Sequence, residues 1–309
     1  MELRQLRSLV ALVESGFNVS RTAEHLNLVQ SAVSQHITRL EAELSLHLVV
    51  RQGKRLLGLT EAGEKIYFFA NQILSDAQNI IAVSDEHQHQ EQGVLRIGAT
   101  HTQARYILPS VIKEFNEHYP KVDIQINQST PDNLIDMTLR DVVDIAICTE
   151  AIAGHEGLVS LPCYEWNRSL ITLPGHPLSK AKKITLKKLC DYPIITYVQG
   201  FTGCGHVDRV FSDAGLSPHI VLSAADTDVI KTYVAEGMGV GVIASMAYDE
   251  KIDTGFKCMD VSDLFPWEIT KIAYKKGRYI RAFQVHFIEL FQRVFPRVSG
   301  SLNVRKNST

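Results

Sequence analysis

Residues 96–109 read RIGATHTQARYILP. The apolar run Ile97 to Ala99 stops at four polar residues, Thr100, His101, Thr102 and Gln103, and a helical pattern then takes over. A buried strand ending in hydroxyls and an amide ahead of a helix predicts an open α/β sheet with a ligand crevice at the strand's carboxyl end. Free N–H groups of the helix's first turn point into such a crevice, and the helix dipole favours negative charge there. Thr100, Thr102 and Gln103 would add neutral donors to those N–H groups.

Working outward, the same ending recurs. DIAICTE (144–150) closes in Thr149, and GFTG (200–203) sets Thr202 between two glycines at another helix start. The three polar mouths predict one site for a small anion, on Thr100, Thr102, Gln103, Thr149 and Thr202, with no obligatory Arg or Lys. His101 reads either as a cleft residue or as a loop filler. Tyr164 and Trp166 read either as an apolar cleft wall or as core.

Beyond Gly93 strands and helices alternate: VLRIGAT, a helix to His118, VDIQINQS, NLIDMTLRDV, DIAICTE, and later PIITYV, VDRVFSDAG, HIVLSAA, DVIKTYVAEG and GVGVIAS. That alternation implies helices on both faces of open sheets. Residues 93–309 are too many for one such sheet. LPCYEWNRSLITLP (161–174) and LFPWEITKIAY (264–274) are expected to cross between two Rossmann-like lobes. The expected division is lobe I, residues 93–163 plus 268–300, and lobe II, residues 164–267. A last helix from Ile280 to about Phe295 closes lobe I.

Residues 1–60 are different. Leu3, Leu6, Leu9, Val10 and Val13 recur at helical spacing and stop near Gly16. Asn18 is placed to cap a helix from Val19 to Leu26, and a break at Asn27 to Val29 leads into a third helix, Gln30 to about Leu44. Two short helices across a tight turn predict a helix-turn-helix. LHLVVRQGKRLLGLT (46–60) then predicts a β-hairpin wing with a basic tip. On the third helix Gln30, Ser31, Ser34, Gln35, Thr38 and Arg39 share the polar face, suited to base edges in the major groove. Arg51, Lys54 and Arg55 are suited to phosphates.

From Thr60 to about His87 a stripe of Ile66, Phe69, Ile73, Ala77, Ile80 and Ile81 predicts a linker helix, residues 61–92 with its hinge, that has no core of its own and dimerises. Charge supports the need for copies. Residues 1–60 hold seven Arg or Lys against five acidic residues, and the whole chain carries a formal charge of −2. Phosphate contacts per chain are then few, while affinity rises steeply with each one.

At 309 residues, 45% hydrophobic and 21% charged, the chain has the composition of a globular protein with two or three domains. No stretch reaches the roughly 18 apolar residues of a membrane span, and MELRQLRSLV lacks a signal peptide's apolar core, so a cytoplasmic location is expected. The five cysteines are scattered without a CxxC pair, as for reduced thiols. His87 and His89, two apart on a charged joint, read as solvated, and neither a metal nor a cofactor is expected. GMGVG (237–241) follows a helix and precedes a strand, the reverse of a dinucleotide loop. GxSxG, HExxH and P-loop motifs are absent, and Glu150 near the expected cleft has no acid/base partner in view. No catalytic residue is expected. An enzyme, or a small-molecule binding protein using the same cleft, stands as the alternative of another class.

The chain resembles the LysR-type transcriptional regulators over essentially its whole length, on QSAVSQHITRLEAEL, on RQGKRLLGLTEAGE and on an effector domain like a type 2 periplasmic binding protein. THTQARYILP, LPCYEWNR, GFTG and ADTDVIKTYVAEGMGVGVIASMA resemble the cysteine-regulon branch, which is CysB- and Cbl-like. The resemblance implies a homotetrameric activator of sulfur-assimilation and cysteine-biosynthesis genes that binds promoter DNA and contacts RNA polymerase. It implies an acetylserine inducer opposed by sulfate or thiosulfate, bound at the five residues chosen above; a Cbl-like regulator answering to adenosine phosphosulfate is the alternative. The chain departs from the family pattern at Val29, where Ser or Thr is usual, at Ser31, where proline is common, and at Cys204 and Gly205.

Overall fold

A computed structural model describes residues 1–53, 55–88, 91–149, 151–198 and 204–294. The chain divides into two compact units, one built on Met1–Gln88 with Gly277–Tyr279 and the other on His89–Lys276 with Ile280–Thr309.

The first unit begins with α1 (Leu3–Glu14), α2 (Val19–His25) and α3 (Gln30–Leu44). Asn18 caps α2 by accepting the Arg21 N–H at 3.1 Å. Asn27 adopts φ of 53°, which turns the chain between α2 and α3. α3 starts on Val29 with no side-chain cap, as its apolar side chain requires. Leu6, Leu9 and Leu12 of α1 form one core with Ile37 and Leu40 of α3. The expected wing is an antiparallel hairpin of β1 (Val49–Gln52) and β2 (Arg55–Leu59).

α4 (Glu61–Gln88) follows. Its first turn is held by Thr60, whose Oγ1 donates to the His47 carbonyl and accepts the Gly63 N–H at 2.9 Å. The stripe expected on this helix divides. Ile66, Tyr67, Ala70 and Leu74 share a face that packs into the core of the first unit, while Phe68, Phe69, Ile73, Ile80 and Ile81 stay exposed. The first half of α4 therefore does have a core, because α1 lies along it. Ile66 is not part of the free face.

The second unit continues with β3 (Gln92–Ala99), α5 (Leu108–His118), β4 (Lys121–Gln128), α6 (Pro131–Leu139), β5 (Ile145–Cys148) and β6 (Leu158–Trp166). Next come β7 (Arg168–Thr172), α7 (Leu186–Leu189), β8 (Ile194–Tyr197), α8 (Cys204–Asp213), β9 (Ile220–Ala224) and α9 (Thr227–Ala235). β10 (Val240–Ala244), β11 (Lys257–Asp260), β12 (Glu268–Lys275) and α10 (Ala282–Val294) complete it. One sheet has the order β4-β3-β5-β12-β6 and the other β11-β7-β10-β8-β9. Each sheet and its helices form a lobe. Phe115, Phe283, Phe287 and Phe291 fill the first lobe's core, and Val207, Phe211, Val240 and Val242 the second's.

β6 stays paired with β12 as far as Trp166 opposite Glu268, so the chain crosses between lobes at Asn167 rather than after residue 163. Tyr164 and Trp166 are buried in the first lobe, which is why the strand holds on that far. The neighbouring Arg168 is fully buried, pairs with Glu268 at 3.2 Å and lies over the rings of Trp166 and Phe265. Asn167 donates to the Phe265 and Ser262 carbonyls, tying the outgoing strand to the returning one.

The packing of α4 on the wing makes one position intolerant. A Cβ on Gly63 would sit 2.0 Å from the Leu48 carbonyl oxygen, a backbone atom with no room to yield. Gly63→Ala is expected to cost about 1–3 kcal/mol, read as a lower urea midpoint of the first unit, with the second unit's transition unchanged.

Candidate functional site

The polar face of α3 is set by its opposite side. Val33, Ile37 and Leu40 are buried, which leaves Gln30, Ser31, Ser34, Gln35, Thr38 and Arg39 exposed in one array. In the wing Arg55 is exposed, and Lys54 lies outside the described residues. Arg51 is partly spent: its Nη2 pairs with Glu41 Oε2 at 2.9 Å. The other oxygen of Glu41 accepts the Leu48 and Val49 N–H groups, so this buried carboxylate clamps the end of α3 to the wing. Burial alone would raise the Glu41 pKa. The hydrogen bonds from Leu48 and Arg51 outweigh it and hold the carboxyl below its usual range.

In the second unit β3 and β5 run parallel, with Ala99 opposite Ile147, so their carboxyl ends open side by side. Thr100 and Thr149 stand at those ends, and the Thr100 N–H reaches the Ile147 carbonyl at 3.4 Å. Among the described residues the Thr100 hydroxyl has no hydrogen-bond partner. Thr149 Oγ1 accepts the indole N–H of Trp166 at 3.2 Å and lies 3.4 Å from Thr270 Oγ1. Gln103 is bound on both sides: its Oε1 accepts from Tyr164 at 2.6 Å and its Nε2 donates to Thr270 at 3.3 Å. Gln103 therefore braces the mouth from behind more than it offers a free amide. Burial pushes the Tyr164 hydroxyl's pKa up, keeping it a neutral donor. Lys271 Nζ donates to the Thr149 carbonyl at 3.2 Å, which puts a cation beside a site expected to need none.

Thr102 is buried and lies toward the Tyr197 hydroxyl of the second lobe. That hydroxyl also lies 2.6 Å from Thr227 Oγ1 and accepts the Ala244 N–H at 3.0 Å. The structure thus joins Gln103 and Thr149 in one neutral network through Thr270, with Thr100 at the neighbouring strand end and outside that network. Thr202 lies outside the described residues. His101, Asp226 and Asp228 offer ligand atoms within 4.8 Å of one another, a metal-like grouping. Asp226 is spent capping α9, though, and Arg105 and His101 both lie against Asp228, so the group reads as a salt link.

Comparison with known proteins identifies the arrangement. Residues 3–64 match the model of the bacterial regulatory helix-turn-helix proteins of the lysR family, and residues 88–296 match the LysR substrate binding domain. The chain belongs to the LysR family of transcriptional regulators. It is 42% identical to the regulator SsuR of Burkholderia cenocepacia, over 94% of each chain. It is 44% identical to CysB of Haemophilus influenzae, over 94% of this chain and 90% of that one. Against Cbl of Escherichia coli the figures are 38%, 94% and 92%. The crystal structure of the cofactor-binding domain of the Cbl transcriptional regulator superposes with a TM-score of 0.62 at 39% identity, covering 64% of this chain and 87% of that one. A full-length OxyR variant from Pseudomonas aeruginosa shares the fold over 94% of this chain and 93% of its own, at 22% identity and a TM-score of 0.67. These relatives are named regulators, and this chain is a DNA-binding regulator of the same kind rather than an enzyme.

Thr270 and Lys271 escaped the sequence reading of this LysR regulator. Both sit on β12, read only as a crossing strand, and two adjacent polar residues inside an apolar strand were the available signal. Glu41 was hidden similarly, one acid among several on α3.

The Glu41 clamp has a defined pH signature. A carboxyl with a depressed folded pKa contributes stability that is full above its unfolded value of about 4.3 and is lost as pH falls through the folded value. Glu41→Gln is expected to lower the stability of the first unit at pH 7 by roughly 1–2 kcal/mol. The gap to wild type should close toward pH 3 in urea melts. A gap that persists there would show that shape, not charge, holds the clamp.

Proposed function

We propose that this LysR regulator activates sulfur-assimilation and cysteine-biosynthesis genes from the cytoplasm, as a homotetramer, and senses a small anionic effector, an acetylserine inducer opposed by sulfate or thiosulfate, at the mouths of β3 and β5. The observation that carries the reading is the pair of adjacent strand ends with Thr100 and Thr149. Thr102, Gln103 and Thr202 complete the proposed effector set. The family relation to SsuR, CysB and Cbl supports the metabolic assignment. A hydrogen bond to a charged group contributes about 1.5–3 kcal/mol. A handful supports roughly micromolar to millimolar binding after ordering costs, an affinity suited to a sensor.

On the DNA side Gln30, Ser31, Ser34, Gln35 and Arg39 read bases, and Arg51, Lys54 and Arg55 hold phosphates. Arg51 does so while anchored by Glu41, which orients it. The exposed Phe68, Phe69, Ile73, Ile80 and Ile81 of α4 supply a surface for a second copy. Bound effector shifts the relative placement of the lobes, the assembly changes the bend it imposes on promoter DNA, and contact with RNA polymerase follows.

Thermal shifts of the full chain with N- and O-acetylserine, sulfate, thiosulfate and adenosine phosphosulfate test the site. Thr100→Val should abolish the shift given by the true effector while promoter affinity stays within twofold of wild type. An unchanged shift would remove Thr100 from the site. A response to adenosine phosphosulfate alone selects the Cbl-like effector. On the DNA side, Arg55→Ala should weaken promoter binding and flatten its salt dependence by about one unit of log–log slope per chain. An unaltered slope would place Arg55 off the phosphates.

A further inference from the structure

Residues 100–107 carry two sets of side chains. Thr100 and Gln103 face the neutral network of the first lobe, while His101, Arg105 and Tyr106 converge on one carboxylate of the second lobe, Asp228. The Tyr106 hydroxyl donates to Asp228 Oδ1 at 2.6 Å, with Arg105 Nε at 3.4 Å and His101 Nε2 at 3.7 Å from Oδ2. These residues can share a target because the segment is wound into a π-turn, Gln103–Ile107, in which the Leu108 N–H bonds to the Gln103 carbonyl. Pro109 accounts for the widening: its ring would strike the Arg105 carbonyl in a regular helix.

The receiving side is fixed independently. Asp228 stands in the first turn of α9, just after the cap Asp226, which accepts the Val229 N–H at 2.9 Å. Lys231, three residues on and on the same face, is anchored within the second lobe by Asp253 at 2.7 Å. Its Nζ reaches the Tyr106 hydroxyl at 3.4 Å and lies 4.9 Å from the ring centroid. Hydrogen bonding to Tyr106 and the charges of Arg105, His101 and Lys231 outweigh burial and hold the Asp228 carboxyl below its usual pKa, so it is charged at neutral pH.

We infer that Tyr106 and Asp228 are positioning residues for effector binding: their hydrogen bond locks the turn bearing Thr100 and Gln103 onto the second lobe. The inference rests on the effector site proposed above. A donor turn held in place before the ligand arrives binds with less ordering cost. Breaking the lock should weaken binding without removing any group that touches the anion. Because the turn and α9 belong to different lobes, the lock is also the place where occupancy at the strand mouths is felt by the lobe arrangement.

The experiment is a double-mutant cycle on the full chain, Tyr106→Phe, Asp228→Asn and both, with sulfate and thiosulfate as probes in calorimetric titration and thermal melts recorded without ligand. Each single substitution should raise the dissociation constant by about five- to tenfold, the double no more than the worse single, with promoter affinity unchanged. Non-additivity marks the two side chains as one interaction, and weakened anion binding with the ligand-free melt unchanged is what a merely structural role would not produce. Variants that bind both anions like wild type, or effects that simply add, overturn this inference while leaving the effector site standing. Failure of the wild type itself to bind either anion overturns the inference together with that site for these ligands.

Discussion

An ion pair closed off from water stands where the two crossing strands meet. Arg168 begins β7, Glu268 begins β12, and the 3.2 Å contact between them joins the segment leaving the first lobe to the one returning. Two buried charges are costly to desolvate, and a pair of this kind seldom adds net stability over an apolar pair; what it does impose is a penalty on any arrangement that separates it, of order 3–5 kcal/mol. Its position gives that penalty a use. Trp166 lies under the guanidinium and sends its indole N–H to Thr149, so the crossing and the strand mouth are parts of one set of contacts. Any lobe placement that parts Arg168 from Glu268 carries that penalty.

Within that constraint the molecule separates neutral from charged groups. Thr149, Thr270, Gln103 and Tyr164 bond one another with neutral hydrogen bonds at the strand ends. The charged side chains Lys271, Arg105, Lys231 and Asp228 stand at the margins, each already engaged. A buried unpaired cation would bind any anion strongly and would cost several kcal/mol while empty. Neutral donors satisfied by one another avoid that cost and let the ligand exchange.

The N-terminal helices were legible almost to the residue because their signals are local: the Asn18 cap, the break at Asn27 and the spacing of Val33, Ile37 and Leu40. The polar endings of β3 and β5 were legible for the same reason. Periodicity names a face without naming its partner, which is why the stripe on α4 was read as wholly free although Ile66 packs into the first unit's core. Contacts between distant segments left no local trace. Thr270 meets Gln103 across 167 residues, and Asp228 meets Tyr106 across 122. The Tyr164 and Trp166 alternative, wall or core, resolves to core: the rings are buried, and their polar tips bond to Gln103 and Thr149.

How far a ligand can move this regulator follows from where its contacts lie. An anion touching only Thr100 and Thr149 would bind equally well in every lobe arrangement, since both belong to one sheet, and would shift nothing. Coupling requires a contact that exists in one arrangement and not in another. The Tyr106–Asp228 bond supplies one from the short turn that follows Thr100. The turn between Thr100 and Ile107 is thus the only stretch among the described residues that both faces the strand mouths and bonds side chain to side chain with α9. Among the described residues, any preference of the ligand for one lobe placement has to be expressed through that stretch.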